Sequence, residues 1–132
     1  MVHAGDSGFE GRFLAQAARA GGGVQDRARQ VLTAEQAATV EFLAIGAHAV
    51  RRAGAAEGRR ALVIGAGPIG LGTALFARIG GFEVTLSDMS EERLGVARDR
   101  FGFESSLRAG PSAVADGMTL TGGDGFDAVF DA

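Results

Sequence analysis

The chain reads as an α/β protein: a partial doubly wound parallel sheet of about four strands, preceded by an N-terminal helical segment. Three observations predict it. The aliphatic run Ala61–Ile64 leads into the glycine-rich stretch LVIGAGPIGLG, an apolar helical pattern follows from Pro68, and a second strand pattern of period two ends on Asp88. Two strands joined by a helix in so short a span are most simply parallel, with a right-handed crossover.

The elements follow in order. Residues 1–30 are rich in Gly, Ala and Arg, include Gly21-Gly22-Gly23, and show no sustained hydrophobic period; they are expected to be poorly ordered, with a short helix around Phe13–Ala18. Residues 31–58 form a helical lead-in. Thr33 and Gln36 match a capping box, the pattern runs to Ala53, Arg51 and Arg52 lie near the C-terminus where the dipole favours cations, and residues 54–58 turn. Residues 59–132 are the nucleotide-binding part. There Ala61–Ile64 is a strand, Gly65 begins a turn, and Pro68 sits in the first helical turn, where its missing N–H costs nothing; Gly80-Gly81 stop the helix.

Phe82, Val84 and Leu86 then alternate with Glu83, Thr85 and Ser87 as the second strand. Ser90 caps a helix with Glu91 and Glu92 in its first turn, and Leu94, Ala97 and Phe101 share one face. A weak strand near residues 104–107, a helix over 112–120, a glycine-rich loop over 121–125 and a last strand over 126–132 complete the reading. Four strands are a little more than half of a six-stranded doubly wound sheet.

Composition narrows the chemistry. A chain of 132 residues makes one compact domain, which buries roughly two-thirds of its unfolded surface. A net charge of −3 supplies no basic field, so neither nucleic acid nor an anionic membrane is an expected partner. The longest uncharged runs are broken by Gly and Pro, and residues 1–20 lack a secretory signal, so a soluble cytoplasmic protein is expected. There is no Cys, Lys, Tyr or Trp. That removes disulfides, thiol nucleophiles, cysteine zinc sites, Walker-type phosphate loops, Schiff bases and the Tyr–Lys pair of short-chain dehydrogenases.

In a chain with 22 glycines G-x-G-x-x-G alone is a weak signal, but Gly65, Gly67 and Gly70 fall between a predicted strand and a predicted helix, as the motif requires. Gly65 permits the tight turn, Gly67 removes the side chain that would hold a pyrophosphate off the backbone, and Gly70 lets helix and strand pack closely. Pro68 offers no N–H, so the free amides of Ile69 and Gly70 are the candidate phosphate donors. Asp88 follows Gly70 by 18 residues, near the spacing of about 20 at which an acid reaches the adenosine ribose. Its charge would repel a 2′-phosphate, which favours NAD over NADP, while Arg93 could stack on adenine or partly offset that repulsion. The bland alternative for Asp88 is a solvent-exposed turn acid.

The segments VEFLAIGAHAVRRAG, GRRALVIGAGPIGLGTALFARIGG, VTLSDMSEERLGVAR and TGGDGFDAVFDA together resemble the zinc-type medium-chain alcohol and polyol dehydrogenases, over about residues 32–132. The resemblance implies a Rossmann-like domain that binds NAD, with Gly65, Gly67, Ile69 and Gly70 lining the pyrophosphate and Asp88 and Arg93 framing the ribose. It also implies a small alcohol as substrate, and a Glu matching Glu41 that approaches or ligates the catalytic zinc in the sorbitol-dehydrogenase-like branch; the common motif there has Pro where this chain has Phe42. Glu41 and His48 are the only ionisable residues between Ala37 and Val50, and an isolated carboxylate in apolar surroundings needs a partner. The other reading of Glu41 is a helix residue facing water or an Arg. His48, seven positions on and about 10 Å along a continuous helix, cannot share one zinc with it and reads as a packing or hydrogen-bonding residue.

The departures from the family pattern shape the functional expectation. The family's Cys and Gly-His-Glu metal segments have no counterpart here, and the pattern continues past the position of Ala132 with a glycine and two more strands. The leading expectation is therefore the NAD-binding portion of a zinc-type dehydrogenase of alcohols, polyols or sugar acids, incomplete for catalysis as this chain alone. A non-catalytic nucleotide-binding module would bind adenine nucleotide without zinc dependence or turnover. An FAD-binding half-domain, the third reading, would carry a yellow chromophore. The last strand is expected to present an apolar edge that promotes self-association.

Overall fold

The computed structural model describes residues 33–54 and 59–132. The expected disorder of residues 1–30, the helix at 13–18 and most of the turn at 54–58 lie outside the described residues. The chain divides into two compact units, Met1–Thr39 and Val40–Ala132. The described part of the first is the opening of helix α1 (Ala34–Ala53), where the capping box is formed in both directions: Thr33 N–H donates to Gln36 Oε1 at 2.9 Å and Gln36 N–H to Thr33 Oγ1 at 3.2 Å.

In the second unit, strands β1 (Arg60–Ile64), β2 (Glu83–Asp88), β3 (Ser106–Arg108) and β4 (Ala128–Asp131) alternate with helices α2 (Pro68–Ile79), α3 (Glu91–Phe101) and α4 (Ala113–Leu120). The sheet is parallel throughout, in the order β3-β2-β1-β4. The chain steps outward from β1 to β3 and then returns to the other side of β1. This reversal puts a crevice beyond the carboxyl ends of the strands, where ligands of open α/β sheets bind.

The core lies on one sheet face, where Val63 of β1 is in register with Leu86 of β2 and Phe130 of β4. Ala74 and Ala77 of α2, Val50 of α1, and Leu94 and Ala97 of α3 join the same cluster. Phe82 meets Phe130 edge-to-face with centroids 5.9 Å apart. Small residues set the approach of the helices. A Cβ on Gly46 of α1 would stand 2.6 Å from the backbone N of Thr73 in α2, and one on Gly72 would stand 3.4 Å from the Phe42 carbonyl, so the two helices meet nearly backbone to backbone.

Burial departs from the simple sequence pattern at two places. Thr85 and Ser87, polar positions of the period-two pattern in β2, are each only 5% exposed. Their hydroxyls are small enough to bury, and that of Thr85 is 2.9 Å from Ser105 Oγ. Phe101, spaced to share a face of α3 with Leu94 and Ala97, is 37% exposed, while Phe103 is 3% exposed. Gly102, at φ +69°, ends the helix and redirects the chain so that the later ring enters the core, with the Arg78 guanidinium 4.4 Å above it. Ser90 caps α3 as expected, its Oγ accepting from Arg93 N–H at 3.3 Å. Among the described residues no helix is long and apolar enough to cross a membrane.

Candidate functional site

The glycine-rich turn joins β1 to α2. Gly65 lies at φ +99°, a conformation that side chains strongly disfavour, and its N–H donates to the Ser87 carbonyl at 2.7 Å. A Cβ on Gly70 would overlap the carbonyl oxygen of Gly65, so α2 begins hard against the turn. At Gly67 a Cβ would meet no atom within 4 Å. The close-packing glycine and the one that leaves open space are thus distinct residues. The first bond of α2 runs from Leu71 N–H to Gly67 O at 2.8 Å. The N–H groups of Ile69 and Gly70 precede it, have no intrahelical carbonyl to bind, and carry the positive end of the helix dipole.

Asp88 is brought to the turn by register: Ile64 pairs with Ser87, so the residues just beyond them are neighbours. It is 8% exposed, not the solvent-facing turn acid of the bland alternative. Its Oδ2 accepts from Ala66 N–H at 2.7 Å and its Oδ1 from Ser90 N–H at 2.8 Å, with Arg93 Nη1 3.7 Å from Oδ2. Burial pushes the carboxyl pKa up, but the Ala66 and Ser90 amides and then Arg93 outweigh it, and the net displacement is below the ordinary 3.8. A carboxylate has about four lone-pair sites, and two backbone amides leave acceptor capacity for ribose hydroxyls.

This shift predicts an acid dependence. A carboxyl lowered in the fold contributes stability that is present above its unfolded value, near 3.9, and is lost as pH falls through the lower folded value. Urea unfolding of the whole chain should weaken below about pH 4, and Asp88→Asn should show a smaller loss over that range. An identical acid profile for the two proteins would contradict the assignment.

Asp88 opens onto a cleft of about 550 Å³. Asp88, Ser90, Glu92 and Arg93 form its polar side, and Met89 and Val96 add exposed apolar surface. Sequence reasoning missed Met89, Glu92 and Val96. The available signal was position, since Met89 follows Asp88 directly and Val96 lies three residues beyond Arg93 on the same helix. A second cavity of about 190 Å³ includes Arg60 and Glu83, the first residues of β1 and β2, and so lies toward the other end of the strands.

The proposed metal residue is placed differently. Glu41 is exposed on α1, so it does not face the apolar surroundings inferred from its neighbours in sequence. His48 is also exposed, with Arg51 Nη2 3.2 Å from its Nδ1. Because a guanidinium only donates, Nδ1 is the acceptor there and a neutral ring carries its proton on Nε2. Among the described residues no three His, Cys, Asp or Glu side chains come together as a metal site, and the chain has no Cys. The described residues alone do not supply the three protein ligands that a catalytic zinc takes.

No protein-family model matches the chain. Curated relatives do. The chain is 52% identical over 59 residues to L-galactonate-5-dehydrogenase of Escherichia coli, 45% identical over 69 residues to bovine sorbitol dehydrogenase, and 38% identical over 98 residues to (R,R)-butanediol dehydrogenase of Neisseria gonorrhoeae. These matches take in 45%, 52% and 74% of this chain. Solved structures agree: galactitol-1-phosphate dehydrogenase of E. coli superposes with TM-score 0.65 at 26% identity, over 77% of this chain and 30% of that one. These likenesses support a partial zinc-type medium-chain alcohol and polyol dehydrogenase. The chain spans only 17%, 19% and 28% of the three curated relatives. An NAD-dependent alcohol dehydrogenase superposes with TM-score 0.66 at 25% identity, over 76% of this chain and 30% of that one.

Proposed function

We propose that this chain binds the adenosine-diphosphate half of NAD and forms the nucleotide-binding portion of an enzyme that oxidises an alcohol, polyol or sugar acid. One observation carries the reading: a buried Asp88 lies between the glycine-rich turn and the cleft, bonded to Ala66 and lining the cleft. The pyrophosphate would sit over Gly67 and Pro68 against the Ile69 and Gly70 amides, with the turn at Gly65 setting their approach. Asp88 would accept from the ribose hydroxyls, and Arg93, Met89 and Val96 would lie against adenine. NAD supplies the hydride acceptor when bound; the residues of this chain bind and orient it. Of the described residues only Glu41 is linked by the resemblance to zinc, and the remaining ligands of such a site would come from outside them.

The test is calorimetric titration of the full chain. NAD should bind at least about tenfold more tightly than NADP, because Asp88 and Glu92 both disfavour a 2′-phosphate and each 1.4 kcal/mol of repulsion is a factor of ten. Equal affinities, or no binding of either, would overturn the proposal. Incompleteness has its own test, since alcohol-dependent NADH formation by the pure chain would contradict it.

The proposal extends to assembly. Among the described residues β4 has a strand neighbour on one side only, and Val129 is 57% exposed. An apolar edge of this kind pairs readily with another copy. Sedimentation should show concentration-dependent association that Val129→Lys reduces; a monomer throughout would contradict it.

A further inference from the structure

Asp88 makes two bonds that a ribose acceptor does not need. Its Oδ2 takes the N–H of Ala66, inside the glycine-rich turn, and its Oδ1 takes the N–H of Ser90, which opens α3. The Ala66 N–H belongs to the Gly65–Ala66 peptide plane, whose carbonyl oxygen is the atom that a side chain on Gly70 would strike. In a trans peptide N–H and C=O point in opposite directions. One end of this plane is therefore held by Asp88, and the other forms the seat on which α2 begins. Turning the plane over would aim a carbonyl oxygen at a carboxylate and withdraw the seat from Gly70. The adjacent bond, Gly65 N–H to Ser87 O at 2.7 Å, anchors the turn to the same strand end.

We infer that Asp88 is a positioning residue for the phosphate-binding turn as well as a ribose acceptor: by fixing the Gly65–Ala66 peptide it sets where the Ile69 and Gly70 amides stand. The consequence for ligand binding rests on the proposed dinucleotide site; the structural part does not. A pure ribose acceptor would be indifferent to a nucleotide that lacks ribose hydroxyls, whereas a positioning residue would not.

The experiment compares ADP with 2′,3′-dideoxy-ADP on the full chain, as wild type, Asp88→Asn and Asp88→Ala. An Asn side chain has one acceptor oxygen for two backbone amides and should fold with one bond lost; Ala loses both. Dideoxy-ADP affinity should fall in the order wild type, Asn, Ala, by about tenfold overall, the scale of one hydrogen bond. The Ala66, Ser90 and Gly70 amide resonances should move with it while those of Val63 and Leu86 in the core stay in place. Unchanged dideoxy-ADP affinity across the three proteins would overturn the inference. So would core resonances that move together with the turn in both variants, since that marks general loss of structure. If wild type binds neither nucleotide, the dinucleotide proposal fails by itself. The positioning role is then decided by the Gly70 amide, which supports it by moving in Asp88→Ala and refutes it by staying.

Discussion

Replacing Gly70 with alanine should both destabilise the chain and abolish nucleotide binding, while the same change at Gly67 should abolish binding alone. At Gly70 the new methyl group would overlap the Gly65 carbonyl oxygen, a backbone atom that cannot swing aside. Forcing α2 off its seat should cost about 1–3 kcal/mol, the range for overpacking a filled site. It would also carry the Ile69 and Gly70 amides away from the phosphate position. At Gly67 the added Cβ meets no protein atom within 4 Å, so stability should change by less than about 0.5 kcal/mol, as for a surface site. The methyl would nevertheless occupy the space that a pyrophosphate needs. Urea unfolding paired with calorimetry on both variants reads the difference; loss of stability at Gly67, or retained binding at Gly70, would show that the two glycines have been assigned the wrong tasks.

The second large effect is expected at Gly46. In a free helix alanine is favoured over glycine by about 1 kcal/mol, so propensity predicts that Gly46→Ala stabilises α1. Packing opposes it, because the added carbon would lie 2.6 Å from the Thr73 nitrogen and 2.8 Å from its Cα, well inside contact distance. To relieve this, one helix must shift against the other and draw Val50 out of the core cluster it shares with Ala74 and Ala77. The steric cost exceeds the propensity gain, and a net loss of about 1–2 kcal/mol is expected from thermal or urea unfolding. A more stable Gly46→Ala protein would mean that α1 does not lie against α2 as described.

What could be read from the sequence was whatever is local. The capping box at Thr33 and Gln36, the helix bounded by Pro68 and Gly80, and the strand ending on Asp88 each depend on neighbours a few residues away. The motif could be divided into tasks because its glycines serve one turn. Other features depend on contacts distant in the chain. Nothing near Gly46 marks it as the crossing point with Gly72 and Thr73. The burial of Thr85 and Ser87 depends on the packing around β2 and on Ser105, and so escapes a count of alternation. Phe103, not Phe101, enters the core because the left-handed Gly102 between them resets the direction of the chain. At the candidate site, spacing located Asp88 but could not show its bond to Ala66, which needs β1 and β2 in register. Glu41 shows the converse limit: its apolar neighbours in sequence left a paired and a water-facing carboxylate both open, and only the fold shows it exposed.

The most direct measurement is an ADP titration of the isotope-labelled chain, followed by amide resonances. The account predicts that Gly67, Ile69, Gly70, Asp88 and Arg93 shift together and saturate together, while Gly46 and Thr121 do not respond. Shifts confined to the cavity beside Arg60 and Thr121, or a spectrum unaltered at millimolar ADP, would contradict it.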